Sequence, residues 1–175
     1  MIISVEQLKQ YIPGITESDV IIEAKLKALE LSIRKHTNNN FQNRGVRFAC
    51  PAMDTKLYLS TDMLKAGDTV QITESIYSNG VYVIKAIKDG FIELEKPLLD
   101  ESHVLVTKVE YPVDVIMGVV NMLKWDLENR DKVGIQSETI SRHSVTYFNM
   151  DGDNSSMGYP KSLLGFLKPY MKARF

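Results

Sequence analysis

The feature that most constrains this chain is a change of hydrophobic period at Phe41, reversed at Pro112. Before Phe41, Ile22, Leu26, Leu29 and Ile33 form one stripe at helical spacing, and Ile21, Ala24, Ala28 and Leu31 form a second beside it. Together they predict a central helix with a broad apolar face. From Phe41 the apolar residues alternate: Val46 and Phe48, Leu57 and Leu59, Val70 and Ile72, Val81 to Ile84, Phe91 to Leu94, Val104 to Val109. After Pro112, helical spacing returns in Ile116, Val119, Val120, Leu123 and Leu127, widened by Met117, Met122 and Trp125. One element cannot serve both periods, because a helix repeats near 3.6 residues and a strand at about 2. The chain therefore reads as α+β: a helical core, residues 1–40 and 111–175, interrupted by an inserted β module, residues 41–110. The core should hold about four helices and a hairpin, and the module five or six short strands in a small antiparallel barrel or curled sheet.

Punctuation supports these spans. Ser4-Val5-Glu6-Gln7 reads as a capping box before a short helix to about Tyr11, stopped by Pro13-Gly14. Thr16 is expected to cap the second helix, and Asn38-Asn39-Asn40 to end it, since Asn tolerates the left-handed conformation. Ser78-Asn79-Gly80 and Asp89-Gly90 are turn signals. Pro112 suits a first helical position. Met150 to Tyr159 reads as a loop, and Pro160 opens a last helix with Leu163, Leu164, Leu167 and Tyr170 inward. Pro169 should kink it, because its ring crowds the residue four back.

Several classes of function lose support. The net charge is −1, whereas a free-standing DNA binder carries a basic excess to displace counterions. Mixed charges over 41–110 make that module protein-facing or structural. Cys50 is the single cysteine, so an intramolecular disulfide framework is ruled out. MIISVEQLKQ does not read as a signal peptide, and no apolar run approaches the roughly 18 residues of a membrane helix. His36, His103 and His143 lack a second His or Cys at ligand spacing. Asp151 to Ser155 resembles the start of a calcium loop, but Ser156 stands where that loop needs Gly. No constellation argues for catalysis; no enzyme activity, cofactor or metal is expected.

The most informative stretch is Lys132 to Tyr147, KVGIQSETISRHSVTY. Ile135, Ser137 and Thr139 alternate with Gln136 and Glu138, and Val145 and Tyr147 continue the strand character. Ser141-Arg142-His143 reads as the turn of a hairpin spanning Ile135 to Tyr147. A lone hairpin is marginally stable, so it must lean on helices or on another subunit. Glu138, Arg142, His143 and Thr146 are the polar side chains expected outward.

This stretch, after an apolar helix and before a Leu/Tyr-rich terminal helix, resembles the head–tail connector (adaptor) proteins of long-tailed double-stranded DNA bacteriophages. Ser137, Glu138, Ile140, Ser144, Val145 and Tyr147 match the family pattern S-E-s-I-G-d-x-S-v-x-Y. Ser141 and Arg142 stand where the family usually has Gly-Asp, which bears on the turn. The resemblance covers about residues 1–40 and 111–175. It implies a small, largely helical virion protein forming a ring of about a dozen copies, and a ring needs two different complementary patches per subunit. The implied partners are the portal protein above and head-closure or tail proteins below. Genomic DNA would pass through the channel without sequence-specific binding, and no membrane would be involved. The protein would be made in the bacterial host cytoplasm and end at the head–tail junction of the virion. Glu138 and Arg142 are the candidate contacts to a neighbouring subunit.

The carboxyl end is the second candidate surface. From Pro160 onward the charged side chains are Lys161, Lys168, Lys172 and Arg174, with no acid among them. Cations there complement a helix dipole, which accounts for part of the pattern. Tyr170, Met171 and Phe175 lie among them, beyond Pro169. An apolar, basic tail leaving the core would suit docking to the portal, so Lys168, Tyr170, Met171, Lys172, Arg174 and Phe175 are the candidate portal-binding residues. Alternatives are a tail-completion or other virion structural protein, and a small nucleic-acid-binding regulatory module.

Overall fold

A computed structural model describes residues 1–133, 137–140, 143–146 and 154–173. For Lys132 and for the hairpin strands it describes the backbone only. The expectations for Ile135, Gln136, Ser141, Arg142, Tyr147, the calcium-like segment 151–153, Arg174 and Phe175 lie outside the described residues. The fold is mixed α+β and divides into two compact units. Unit 1 is Met1 with Asn40–Tyr111; unit 2 is Ile2–Asn39 with Pro112–Phe175.

Unit 1 is an antiparallel sheet of β1 (Gln42–Leu57), β2 (Thr69–Thr73), β3 (Gly80–Lys88) and β4 (Phe91–Val109), in the order β1-β4-β2-β3 with β4 also paired to β3. Four strands replace the five or six expected, because two pairs of short runs are each one long strand. Pro51 and Pro97 stand inside these two long strands. In the fold β1 passes through Pro51 with register shifts from Cys50 to Lys56, and Asp54 takes a φ of 52°. An irregularity of this kind bends a strand without ending it. Val109 is paired with both Gln42 and Thr69, and Ile92 with both Leu57 and Ile87, so β2 and β3 share the side of β4 opposite β1. Asp89-Gly90 closes the β3–β4 hairpin between Lys88 and Phe91, with Gly90 at a φ of 82° that a side chain would strain. The alternating residues converge on one cluster: Cys50, Leu57, Val70, Ile72, Ile84, Ile92, Leu94, Val104 and Val106. Burial pushes the Cys50 thiol up to about 11. The unit begins and ends on neighbouring backbone, since Glu110 N–H donates to Phe41 O at 2.9 Å and the Phe41 and Tyr111 rings lie 4.8 Å apart.

Unit 2 starts with α1 (Val5–Tyr11), opened by the Ser4–Gln7 capping box. α2 (Asp19–Thr37) begins after Ser18, two residues beyond the Thr16 expected to cap it, and ends on left-handed Asn38. Its Ile22, Leu26, Leu29 and Ile33 stripe is buried. The second stripe is not: Ile21 is 49% exposed, Leu31 is 55% exposed, and Ala24 and Ala28 are also exposed. A helix can bury only the side its neighbours reach, so apolar composition alone overstated the buried face. α3 (Val113–Asn129) follows Pro112, which stands just before the helix rather than in it. Of the predicted stripe Val119, Val120 and Leu123 are buried, with Met122 beside them, while Ile116 and Leu127 are half-buried and Met117 is exposed; Val115, Gly118 and Asp126 complete the buried set.

A 3-10 turn (Arg130–Lys132) leads to the hairpin of β5 (Ser137–Ile140) and β6 (His143–Thr146). The end of the stretch read as loop contains a second small ladder, β7 (Ser155–Ser156) with β8 (Tyr159–Pro160), so Pro160 closes a strand and the last helix starts after it. Met157 and Gly158 between them both have positive φ, the signature of a tight two-residue hairpin turn. The last element is a 3-10 helix, Lys161–Tyr170, not an α-helix. Leu164 and Leu167 are its buried residues, while Leu163 and Tyr170 are only partly covered.

Candidate assembly surface

The hairpin exists with a register one residue tighter than the sequence implied. Ile140 pairs with His143, so His143 belongs to β6 and only residues 141–142 connect the strands. Glu138 pairs with Val145, Thr139 meets Ser144 between these two pairs, and Ser137 meets Thr146 beyond them. Successive residues of a strand alternate faces, so Glu138 and His143 share one face and Thr146 belongs to the other. Arg142, the proposed partner of Glu138 in a subunit contact, lies outside the described residues.

The two ends of the segment that carries the hairpin, at Arg130 and at Gly158-Tyr159, meet in a charged cluster the sequence did not announce. Asp126, on the inner line of α3, is only 6% exposed. Arg130, one turn on, donates through Nε to Asp126 Oδ1 at 2.5 Å, and its Nη2 meets the same oxygen. The Arg130 Nη1 donates to Gly158 O at 3.2 Å. Its guanidinium lies over the rings of Trp125 and Tyr159, at 5.5 and 5.0 Å from their centroids. Tyr159 Oη donates to Asp126 at 3.4 Å. From α2, Lys25 reaches Asp126 Oδ2 at 3.2 Å and Glu17 Oε1 at 2.6 Å. Burial alone would lower the Lys25 pKa, but its hydrogen bonds to Glu17 and Asp126 outweigh that and raise it above the ordinary lysine value. Burial first, then the Asp126 charge, raises the Tyr159 phenol. The chain enters the hairpin segment at Arg130 and leaves it at Gly158-Tyr159, so this clasp ties both ends of the segment to α2 and α3. An Asp four residues before an Arg was the only sequence signal, and on an apolar stripe it reads as a surface pair.

The carboxyl end does not leave the core at Pro169. Asn39 Nδ2 donates to Tyr170 O at 3.1 Å, Lys172 N–H to Thr37 O at 2.8 Å, and Asn38 Nδ2 to Ala173 O at 2.7 Å. Tyr170 Oη donates to the Asp114 carboxylate at 2.8 Å from each oxygen, and this raises its pKa. The asparagines that end α2 therefore also hold the terminal segment, a second role invisible in their helix-stop pattern. Upstream, the Phe166 ring lies against Gly118 of α3: a Cβ there would sit 2.3 Å from the ring. Lys168, Met171 and Lys172 remain exposed, Tyr170 is half-buried, and Arg174 and Phe175 lie outside the described residues.

No protein-family model matches the chain, and no curated protein does so. Among the described residues, no helix is long and apolar enough to cross a membrane.

Proposed function

We propose that this chain is a structural head–tail connector that forms a ring beneath a phage portal and joins the head to head-closure or tail proteins. The observation that carries the reading is the hairpin: its connector-like residues Ser137, Glu138, Ile140, Ser144 and Val145 stand in one antiparallel register, after α3 and before the terminal segment. The clasp at Arg130 and Gly158 ties together the two ends of the segment that carries the hairpin. The exposed Ile21, Ala24, Ala28 and Leu31 stripe offers further apolar surface to a neighbouring subunit. Lys168, Met171 and Lys172 present cations and an apolar side chain for an acidic, partly apolar groove on the portal. In this reading the sheet of unit 1 curls toward a small barrel, since β4 carries β2 and β3 along one side while those two also pair with each other.

The test is assembly. Negative-stain images of concentrated protein, alone and with the portal protein from the same genome, should show closed rings. In this reading Glu138 and Arg142 serve a subunit contact, so reversing both together should hinder rings and leave the melting temperature nearly unchanged, as for surface ion pairs. Replacing Lys168, Met171 and Lys172 by Ser should cut co-sedimentation with portal, and wild-type binding should weaken as salt rises. A protein that forms no ring with portal but binds free DNA in a salt-dependent way would favour the regulatory module instead.

A further inference from the structure

Asn79-Gly80 is the only Asn-Gly pair in the chain, and beyond its turn signal it carries a chemistry of its own. A glycine nitrogen has no side chain beside it to screen it, so it can attack the Cγ of the asparagine amide that precedes it. The bond from the backbone nitrogen to Cγ forms, and the bond from Cγ to the side-chain nitrogen breaks. That nitrogen leaves as ammonia, taking up the proton of the glycine amide. Water then opens the cyclic imide at one carbonyl to give aspartate, or at the other to give isoaspartate. Water is the only co-reactant.

In the fold this amide is held away from that reaction. Asn79 ends the loop between β2 and β3. Ser75 N–H donates to its Oδ1 at 3.1 Å, and its Nδ2 donates back to Ser75 O at 2.7 Å. Gly80 is paired with Ile72 in the β2–β3 ladder. Ser75 is fixed in turn from β4, where the Glu101 carboxylate accepts from Ser75 Oγ and, at 2.8 Å, from Ile76 N–H. Those bonds hold the Glu101 pKa below the usual carboxylate range, the serine hydroxyl contributing most. Ser78 N–H donates to Ser75 Oγ at 2.6 Å, Leu99 N–H to Ser78 Oγ at 3.0 Å, and Tyr82 Oη to Ser78 O at 3.0 Å. Ser75 and Ser78 are buried by this brace, whereas Asn79 itself is exposed. Water therefore reaches the reactive pair. What the brace withholds is the freedom of the amide to turn from Ser75 onto the Gly80 nitrogen.

We propose that Asn79 is a spontaneous deamidation site gated by this brace: it converts in chains whose β2–β3 loop has opened, and the conversion is one-way. Turning the amide onto Gly80 gives up both of its bonds to Ser75, and two such bonds correspond to a slowing of about tenfold or more. The population of the opened loop then scales the rate. The product does not re-form the brace. Its carboxylate has no N–H to give to Ser75 O, and it adds a negative charge to a network that already holds Glu101. An isoaspartate also lengthens the backbone beside the Ile72–Gly80 pair. Ile76 and Tyr77, 76% and 75% exposed at the loop tip, then lose the backbone that fixes them. The site lies in unit 1 and does not depend on the connector reading, whose contacts lie in unit 2; either can fail without the other.

The test is incubation of the full-length protein in warm, mildly alkaline buffer, native and unfolded in urea, followed by digestion and mass spectrometry of the peptide that carries Asn79. Conversion should be about tenfold or more slower in the native protein than in urea. Glu101→Ala removes the bonds to Ser75 Oγ and Ile76 N–H and should speed conversion several-fold in native buffer, with buried Cys50 still unreactive as the sign of an intact sheet. Ser78→Ala, which takes away the acceptor of Leu99 N–H, is the milder variant and should speed it less. Asn79→Asp, one of the two products, should be cut faster than wild type by chymotrypsin after Tyr77. Equal rates in native buffer and in urea would overturn the proposal. So would a wild-type rate in both folded brace variants, or an Asn79→Asp protein as resistant to cleavage after Tyr77 as wild type.

Discussion

Unit 1 packs alternating residues of four strands into a single apolar cluster and leaves its ion pairs, such as Glu93 with Lys85 and Lys88, at least partly in solvent. Unit 2 places a carboxylate, Asp126, on the inner line of α3 and gathers Lys25, Arg130 and Tyr159 around it. It also closes its carboxyl end by side-chain bonds from Asn38 and Asn39 rather than by apolar contact alone. An apolar cluster tolerates small shifts of its parts, because it has no required direction. A hydrogen-bonded clasp fixes orientation, and one missing partner leaves the others without their match. Unit 1 is thus built to be robust, and unit 2 to hold a segment in one geometry.

Each unit carries its own reporter. Trp125, the single tryptophan, lies in the clasp of unit 2, and Cys50, the single cysteine, is buried in unit 1. The largest expected effect is removal of unit 1. Its ends meet at Phe41 and Glu110, so a short Gly/Ser linker can replace residues 41–111 without stretching the chain. The shortened protein should keep its helical signal, a cooperative melt and native Trp125 fluorescence. Loss of all helical signal would show that the two units share one core. Next comes Ile92→Ala, at a fully buried position, which should cost about 2–5 kcal/mol and speed Cys50 labelling while Trp125 stays native. Asp126→Ala should do the reverse, at about 1–3 kcal/mol, the range for leaving buried partners unmatched. Lys25 and Arg130 are partly exposed and can turn to water, which keeps the cost from rising further.

The same contrast decides how much the sequence discloses. Alternation is local, so Val70, Ile72, Ile84, Ile92, Leu94, Val104 and Val106 could be read as core directly, and each is buried. The number of strands was not as legible, because alternation shows which residues face the core but not whether two runs belong to one bent strand. In unit 2 the Ser4–Gln7 box and the Asn38 stop were legible for the same local reason. Asp126 was not, since its partners Lys25 and Tyr159 are far away in sequence. The seat of Phe166 on Gly118 was equally hidden, because a lone glycine in a helix announces a close approach without naming what approaches.

Gly118→Ala tests that seat and has a smaller expected effect. The added methyl would overlap the Phe166 ring, and overpacking costs about 1–3 kcal/mol, against a helix-propensity gain of about 1 kcal/mol. The net loss should be modest and confined to unit 2, seen as a lower melting temperature with unchanged Cys50 labelling. In a Phe166→Ala background the same change should become neutral or stabilising. If the penalty persists there, the helix backbone and not the ring is what Gly118 serves.

The smallest expected effect lies in unit 1, at Glu93. Its carboxylate is held by Lys85 Nζ at 2.6 Å and by Lys88 Nζ at 2.9 Å, and these hydrogen bonds, Lys85 first, lower its pKa to about 2. The lysine side chains are exposed. A carboxylate whose folded pKa is depressed contributes stability that is fully present above its ordinary value. That contribution is lost as pH falls through the folded one. The cluster should therefore stay intact well below the range where glutamates usually protonate. A carbon-detected NMR titration of the Glu93 carboxyl should show its midpoint near 2, and the midpoint should move up toward the ordinary value in Lys85→Met. Glu93→Gln should nonetheless leave the melting temperature nearly unchanged at neutral pH, because exposed ion pairs contribute little. A large drop from Glu93→Gln would mean that unit 1 also depends on a charged clasp, and the contrast with Asp126 would collapse.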